Sequence, residues 1–166
     1  HHYPETMALR EEIPQESATS PMTGFRASLS RPGARWGWMM DFSADKFADR
    51  MDAEGAFIRL SGREHSIRIW DFKHPQPRGT INLTGVPSSA IAAFAETCTL
   101  NGATGTLLRG DWFAVGNQLF RCVADAVAAN GSMTVQFRHQ CRVAIPGGSA
   151  VTLYRPTAQF TRTESS

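Results

Sequence analysis

Hydrophobic residues alternate with small or polar ones in residues 35–42. The large apolar side chains that fall on one face of this segment are Trp36, Trp38, Met40 and Phe42. A period of two is typical of a β-strand, because successive side chains of a strand point to opposite faces. The pattern therefore predicts a strand whose apolar face packs on a hydrophobic core.

A helical pattern follows this strand. Ser43 is a suitable N-cap, and Gly62 is a suitable residue just beyond the C-terminus of a helix. Apolar residues recur on one stripe between them, at Phe47, Met51 and Ile58. We therefore predict one amphipathic helix over about residues 44–61. Alternation returns in residues 65–72, so the first half of the chain is predicted as strand, helix and strand.

Short apolar segments separated by turn residues fill the rest of the chain. Residues 80–84 predict a short strand, and residues 88–96 predict one short helix. Beyond them we predict a β-meander with strands at 97–100, 106–108, 111–116, 118–126, 132–138, 149–154 and 157–162. Gly116-Asn117 and Asn130-Gly131 favour the positive φ angles that hairpin turns require. Short strands at this spacing are typical of a small barrel or a sandwich.

The predicted fold is therefore mainly β. It is a β-sandwich or small β-barrel with one amphipathic helix inserted between strands, followed by a β-meander. Proline and glycine punctuate residues 8–34, which predicts an irregular, extended arm with one short strand at Phe25–Leu29. We interpret residues 1–7, which begin His1-His2, as a tag remnant, with Met7 as the native start.

This interpretation divides the chain into four parts. The parts are an N-terminal arm at residues 1–34, a strand–helix–strand part at 35–96, a meander or barrel part at 97–162, and a tail at 163–166.

Charge is distributed unevenly along the chain. Residues 1–20 have a net charge of −3 and residues 21–166 a net charge of +5, which gives +2 for the whole chain. An excess this small does not indicate specific nucleic-acid binding, which normally needs a clustered basic surface. Arginine supplies 15 of the 17 basic side chains. Arginine is favoured at protein interfaces, and a GC-rich coding sequence gives the same bias, so both explanations stay open.

Composition excludes several classes of protein. The chain has 166 residues, and 42% of them are hydrophobic, which is within the ordinary globular range. No apolar segment approaches the roughly 20 residues that cross a bilayer, so we expect no membrane insertion. The first residues lack the pattern of a secretory signal. Three cysteines without close spacing do not form a disulfide framework, and they favour a reducing compartment.

Motifs of catalysis and cofactor binding are absent from the sequence. There is no phosphate-binding glycine loop, no dinucleotide-binding glycine motif, no zinc-protease motif and no nucleophile elbow. His139 with Cys98, Cys122 and Cys141 has the right residue types for zinc, but the spacing is loose, so we expect no metal site. Cys122 and Cys141 lie in strand-like segments, and we expect them to pack as small apolar groups. We therefore predict no enzyme activity and no cofactor.

Two further groups of residues have a chemical and a structural interpretation. Asp41, Asp45, Asp49 and Asp52 recur every three or four residues, which fits either a cation site or a solvated helix face. Arg109-Gly110-Asp111 spells a cell-adhesion tripeptide, and it also makes a good turn before a strand. We favour the solvated face and the turn.

The tryptophans are the largest apolar side chains of the sequence. Trp36 and Trp38 are predicted to lie in the core, whereas Trp70 and Trp112 share strand faces with smaller or polar residues. An exposed tryptophan is a typical anchor of a protein interface. We therefore choose four candidate contacts with other subunits or partners, namely Trp70, Trp112, Phe25 and Arg26.

The order of short segments along the chain resembles a family of tail proteins from tailed bacteriophages and prophages. The segments are SPMTG (20–24), RPGARW (31–36), LSGR (60–63), IWDFKHPQPRG (69–79), LLRGDWFAVGNQLFR (107–121) and VTLYRPTAQF (151–160). The resemblance extends over about residues 20–162 and is greatest for distal tail proteins of siphovirus-like phages.

This resemblance implies a structural protein of the tail tip or baseplate region. Distal tail proteins form rings, commonly hexameric, that continue the tail tube and carry the hub. The implied plan is a β-sandwich with a helix that supplies the ring, so residues 35–162 would be the ring domain. The implied partners are the chain itself as a homo-hexamer, the tail tube protein and the tail-tip hub protein. The implied location is the virion, after assembly in the cytoplasm of the host bacterium.

Two other functions stay open at this point. One is a tail terminator or head–tail connector, which also forms rings but at the other end of the tube. The other is a monomeric β-barrel module that binds a cell-surface sugar or peptide through an aromatic groove including Trp112. A ring protein predicts that deleting residues 8–34 weakens assembly and leaves the fold intact, because arms commonly lie on neighbouring subunits.

Overall fold

The computed structural model describes residues 6–12, 15–19, 26–30, 35–41, 66–84 and 89–161, together with Met51 and Gly55. The architecture of this part is mainly β. Its strands are β1 (Thr6–Glu12), β2 (Gln15–Thr19), β3 (Arg26–Ser30), β4 (Arg35–Asp41), β5 (Ser66–Ile69), β6 (Asn82–Leu83), β7 (Thr97–Asn101), β8 (Ala103–Thr104), β9 (Thr106–Leu107), β10 (Trp112–Val115), β11 (Gln118–Cys122), β12 (Ala126–Val127), β13 (Ser132–Arg138), β14 (Val151–Thr152) and β15 (Ala158–Thr161).

One antiparallel sheet of five strands, in the order β14-β10-β11-β13-β7, curls into a half-barrel. Two of its features follow directly from the sequence. Gly116, with a φ of 59°, and Asn117 close the hairpin between β10 and β11, so Val115 pairs with Gln118. Asn130 and Gly131 have positive φ angles of 52° and 73° and turn the chain into β13.

The concave face of the half-barrel holds the main hydrophobic core. Alternate residues of each strand point into it, so β13 alternates between buried and exposed positions along its length. The sheet residues of this core are Cys98, Leu100, Phe113, Val115, Phe120, Cys122, Met133, Val135 and Phe137. Ile91, Cys141 and Ile145 close the core from outside the sheet. This alternation is the reason why the meander was predictable from the sequence.

A second, smaller core covers part of the opposite face of the sheet. Trp112, Ala114 and Leu119 point outward from β10 and β11, and all three are buried. Trp36 of β4 and two residues of β15 pack on them, with the ring of Trp36 5.0 Å from that of Trp112. Strand β10 is therefore buried on both faces, which explains why all four of its residues are apolar.

Close backbone contacts join residues 79–84 to residues 102–106. A Cβ on Gly102 would stand 1.7 Å from the carbonyl oxygen of Thr84, and one on Gly79 would stand 2.1 Å from that of Thr106. Gly102 also has a φ of 65°, a region that side chains other than glycine rarely adopt. A Cβ on Gly105 would likewise stand 2.3 Å from the carbonyl oxygen of Thr80, so glycine is required at three positions for these two segments to approach each other.

The four N-terminal strands form two nested antiparallel ladders. β1 pairs with β4 from Thr6↔Asp41 to Glu12↔Arg35, and β2 pairs with β3 from Gln15↔Ser30 to Thr19↔Arg26. The prediction that this region is irregular apart from one short strand is therefore wrong, although the short strand expected at Phe25–Leu29 corresponds to β3. Proline and glycine content indicated loops here, but backbone hydrogen bonds between distant segments form the strands.

Most of the strands predicted after residue 35 are confirmed, and one predicted helix is wrong. Residues 89–96 pair with residues 141–145 instead of forming a helix, through reciprocal hydrogen bonds between Ile91 and Ile145 and a 2.9 Å bond from Cys141 N to the Ala95 oxygen. The helix predicted over about residues 44–61 lies outside the described residues, except for Met51 and Gly55. Met51 and Gly55 have helical backbone, but no helix has described bounds, and no helix among the described residues could span a membrane.

Candidate functional site

A cluster of three aromatic rings and one arginine lies on the surface where two loops meet. Trp70 and Phe72 follow β5, and their ring centroids are 4.5 Å apart. Tyr154 and Arg155 follow β14, and the Arg155 guanidinium carbon lies 4.9 Å from the ring centroid of Trp70 and 5.1 Å from that of Tyr154. These four residues are called the aromatic–arginine cluster below.

Backbone contacts hold the two loops of the cluster together. The N–H of Arg155 donates to the carbonyl oxygen of Pro75 over 2.6 Å, and Arg155 itself has a φ of 48°. A positive φ costs an arginine about 1 kcal/mol or more, so the surrounding contacts must impose it. The guanidinium of this residue contacts the rings of Trp70 and Tyr154 by cation–π interactions.

The turn beneath the cluster is organised by Asp71, which is buried. Its carboxylate accepts a hydrogen bond from the backbone N–H of Lys73 at 2.9 Å and contacts Nδ1 of His74 at 2.7 Å. The backbone N–H of His74 donates to the Asp71 carbonyl oxygen at 3.0 Å. An aspartate that binds the backbone two residues later is a typical device of tight turns. It fixes the direction in which the chain leaves Trp70.

The chemistry of the cluster is that of a protein-binding surface. Tyr154 is 59% exposed, Arg155 is exposed, and Trp70 and Phe72 are half-buried. Tryptophan, tyrosine and arginine are the residues that most often dominate binding energy at protein interfaces. A rigid aromatic group loses little conformational entropy on binding, and here the arginine is held in place as well.

The four residues chosen from the sequence have different positions in the structure. Trp70 belongs to the aromatic–arginine cluster. Trp112 is 3% exposed and lies in the second core, so the isolated chain does not present it as an anchor. Arg26 is the first residue of β3 and pairs with Thr19, and Phe25 lies outside the described residues. The alternation argument failed for Trp112 because the outer face of β10 is covered by β4 and β15.

Three members of the cluster were missed by the sequence reasoning. Phe72, Tyr154 and Arg155 became significant only when the fold brought together segments about 80 residues apart in the chain. The usable signal in the sequence was the Arg155-Pro156 dipeptide, because proline restricts the backbone of the residue before it.

The tripeptide Arg109-Gly110-Asp111 forms a turn, as predicted. The N–H of Asp111 donates to the Leu108 oxygen at 3.0 Å, and Gly110 has a φ of 93°. The Asp111 carboxylate is 4% exposed and accepts hydrogen bonds from Leu108, Arg78 and Gly79. A buried carboxylate with all these donors is not available to a cell-surface receptor, so the adhesion interpretation is wrong.

Opposing effects act on the pKa of Asp111. Burial alone would raise this pKa. The backbone N–H groups of Leu108, Arg78 and Gly79, together with the side chain of Arg78, stabilise the carboxylate more strongly and hold the pKa below 3.8. The charged form of Asp111 is therefore the structural form, and it links residues 78–79 to the turn before β10.

The three cysteines are buried free thiols in the main core, as expected for small apolar groups. Burial is the main cause that raises the pKa of Cys98 to about 12 and that of Cys122 to about 11. Burial also raises the pKa of Cys141. Thiols in this environment are poor nucleophiles at neutral pH.

Among the described residues, no group of three or more His, Cys, Asp or Glu side chains is placed to hold a metal ion.

No model of a known protein family matches the chain, and no curated protein sequence matches it either. The resemblance to distal tail proteins therefore stays a prediction.

Proposed function

We propose that this chain is a structural, non-enzymatic protein of a bacteriophage tail, which forms a ring at the distal end and joins the tail tube to the tip complex. The tail assignment is supported by the order of short segments over about residues 20–162, which resembles that of distal tail proteins. The observation that carries the assembly role is the aromatic–arginine cluster, because its exposed surface has the composition of an interface hot spot.

Ring formation needs a contact between two different surfaces of the same chain. Such a heterologous contact forms a closed ring when the rotation from one subunit to the next is a whole fraction of 360°. The aromatic–arginine cluster supplies one surface. Strand β14 supports the same role, because it is the edge of the five-stranded sheet and adjoins Tyr154 in sequence. An edge strand can accept a strand from a neighbour by backbone pairing.

The nested N-terminal ladders supply a second surface. They attach to the half-barrel where Trp36 packs on Trp112. In the proposed ring the ladders reach the neighbouring subunit, and further contacts join the tail tube protein on one side and the tip hub on the other. The proposed location is the virion, after assembly in the cytoplasm of the host.

A second candidate is a monomeric module that binds a cell-surface sugar or peptide. The exposed aromatic cluster favours this function too, because stacked rings bind sugars and peptides as well as protein surfaces. The groove would then be built around Trp70 and Tyr154, since Trp112 is buried. The two candidates differ in the oligomeric state of the active protein.

The test is the molar mass of the purified chain, measured by light scattering over a concentration series. The ring function predicts a mass that reaches, or rises in steps toward, about six subunits. The double variant Tyr154→Ser/Arg155→Ser is expected to shift assembly to at least tenfold higher concentration. Phe94→Ser is the matched control, because Phe94 is 62% exposed and lies outside the cluster.

The ring function would be contradicted by a chain that stays monomeric at every concentration and also fails to associate with tail tube protein. A ring whose assembly is unchanged in the double variant, while Phe94→Ser disrupts it, would contradict the role of the aromatic–arginine cluster. A monomer whose tryptophan fluorescence responds to a sugar or peptide, and loses the response on Tyr154→Ser, would support the binding module instead.

A further inference from the structure

Two arginine side chains meet beside the turn at Gly110. The position of a Cβ on Gly110 would lie 3.5 Å from Nη2 of Arg78 and 3.8 Å from Nη2 of Arg121. Arg78 comes from the loop after β5, whereas Arg121 comes from β11. Their guanidinium groups therefore flank the same glycine, although the two residues are far apart in the chain. Arg78 and Arg121 are called the arginine pair below.

Each guanidinium of the arginine pair is oriented by bonds to the turn. Nε of Arg78 donates to Oδ1 of Asp111 at 3.1 Å, and its Nη2 donates to the carbonyl oxygen of Arg109. Nε of Arg121 donates to the carbonyl oxygen of Gly110 at 3.3 Å, and its guanidinium lies 5.3 Å from the ring centroid of Trp112. A guanidinium has five N–H donors, so several of them remain for a ligand on each arginine.

Positive charge is concentrated at this place, although one exposed carboxylate lies at the same turn, that of Asp125, which accepts the backbone N–H of Arg109 at 2.6 Å. The side chain of Arg78 is 60% exposed and Arg121 is exposed. Arg138 is the direct register partner of Arg121 on β13 and is also exposed. Among the described residues, the carboxylate bonded to the arginine pair is that of Asp111, which is buried beneath it. Like charges held together in this way favour an anionic ligand.

We infer that the arginine pair is an oxyanion-binding site that takes glutamate carboxylates from the N-terminal segment of a second copy of this chain. Two guanidinium groups that flank one point can bind the two oxygens of a carboxylate with charge-assisted hydrogen bonds. The inference rests on the proposed ring, because it names the contact by which one subunit holds the next.

Charge complementarity identifies the occupant. Residues 1–20 have a net charge of −3, and Glu11, Glu12 and Glu16 are close together in the sequence. Residues 21–166 have a net charge of +5. Every copy of the chain therefore has both an acidic segment and a basic site that can receive it. Two different and complementary surfaces on one chain are what a heterologous ring contact requires.

The first experiment measures the binding of a fluorescent peptide with the sequence of residues 5–20 to the full-length protein. Fluorescence anisotropy is expected to show binding that weakens as the salt concentration rises, because the contact is ionic. Arg121→Gln should weaken peptide binding at least tenfold. The matched control is Arg142→Gln, which removes an exposed arginine near the opposite end of β11. A peptide with glutamine at its glutamate positions should not bind measurably.

Three outcomes would overturn the inference. The first is that the peptide does not bind the wild-type protein. The second is that Arg121→Gln and Arg142→Gln weaken peptide binding equally, which would show non-specific electrostatic attraction and no specific site at the arginine pair. The third is that inorganic phosphate binds in an Arg121-dependent way while the peptide does not, which would make the site one for a free anion.

Light scattering of the same variants distinguishes this inference from the ring function. If the wild type and Arg121→Gln form rings of equal mass at equal concentrations, the ring stands and the inference fails. If the chain is monomeric but binds the peptide through Arg121, the site stands and the ring function fails. If Arg121→Gln raises the concentration needed for assembly at least tenfold and Arg142→Gln does not, both stand.

Discussion

Arg78 donates to Oδ1 of Asp111 twice, from its backbone N–H and from its Nε, each over 3.1 Å. The two residues are 33 positions apart, so this one carboxylate connects the loop after β5 to the turn before β10. Its other oxygen accepts hydrogen bonds from the N–H groups of Gly79 and Leu108. Four donors on one buried carboxylate make Asp111 the polar centre of this side of the half-barrel.

Replacement of Asp111 is expected to destabilise the fold. Asp111→Asn removes the charge and places an amide N–H₂ among groups that are all donors. The free energy of unfolding should fall by about 2 to 3 kcal/mol, as is typical for loss of a charge-assisted buried network. Asp125→Asn is the control, because exposed Asp125 accepts one bond from Arg109 and should lose less than about 1 kcal/mol. Urea denaturation followed by fluorescence measures both, and equal losses would contradict the role of Asp111.

Acid should remove the contribution of Asp111. Its pKa in the folded chain lies below the ordinary value of 3.8, so the unfolded chain takes up the proton first as the pH falls. The stabilisation is therefore complete above about pH 5 and is lost as the pH falls through 3.8 and below. The difference in unfolding free energy between the wild type and Asp111→Asn should narrow between pH 5 and pH 2.5. A difference that stays constant over this range would show that the charge of Asp111 does not stabilise the fold.

Gly102 and Gly131 offer a matched test of close backbone contact. Both have a positive φ, at 65° and 73°, so alanine is strained at either position. A Cβ would overlap the Thr84 oxygen at Gly102, whereas nothing lies within 4 Å at Gly131. Gly131→Ala should lower the unfolding free energy by about 1 kcal/mol, and Gly102→Ala by about 3 kcal/mol or more. Equal effects in chemical denaturation would contradict the requirement for close approach at Gly102.

Much of the meander was predictable from the sequence because its signals are local. The alternation of Met133, Val135 and Phe137 gave the inward face of β13, and Asn130-Gly131 gave the turn before it. The turn at Arg109-Gly110 was predictable for the same reason, since a glycine with positive φ needs no distant partner.

The features that escaped prediction depend on contacts distant in sequence. Residues 88–96 have a local pattern typical of a helix, but in the described part of this segment reciprocal hydrogen bonds pair Ile91 with Ile145, and a turn follows in which the N–H of Ala95 donates to the Ala92 oxygen. Trp112 was chosen as a candidate contact with a partner, but β4 and β15 cover it. The aromatic–arginine cluster could not be predicted either, because Arg155 and Trp70 are distant in sequence and come into contact only in the folded chain.

The buried thiols should be protected from reagents and sensitive to alkali. In the folded chain at pH 7.5 an aromatic disulfide reagent should label Cys98, Cys122 and Cys141 at least 100-fold more slowly than in urea, because the thiols are neutral and inaccessible. The folded pKa values of about 12 and 11 for Cys98 and Cys122 lie above the ordinary 9.0. The stabilisation is thus complete below pH 9 and is lost as the pH rises through 11 and 12. Fast labelling at pH 7.5 would contradict the burial of these thiols.

The nested ladders allow the role of the N-terminal arm to be tested without loss of the β1–β4 ladder. Deletion of residues 8–34 would remove most of β1, which pairs with the strand that includes Trp36. A sharper change replaces residues 13–34 by Asn-Gly, because Glu12 and Arg35 are direct register partners that a two-residue turn can join. The unfolding free energy should stay within about 1 kcal/mol of the wild type, since shortening a loop changes closure entropy only slightly.

Assembly should nevertheless weaken in this shortened chain, with at least a tenfold rise in the concentration that light scattering needs to detect the ring. The matched control replaces residues 20–25 by Asn-Gly, which joins the register partners Thr19 and Arg26 and keeps both β2 and β3. This control should assemble like the full chain, because it retains the strands and the glutamates of the arm. If the chain without residues 13–34 assembles as well as the control, the inner ladder makes no contact in the ring. Assembly would then depend on the aromatic–arginine cluster, the half-barrel and the β1–β4 ladder, which keeps Glu11 and Glu12.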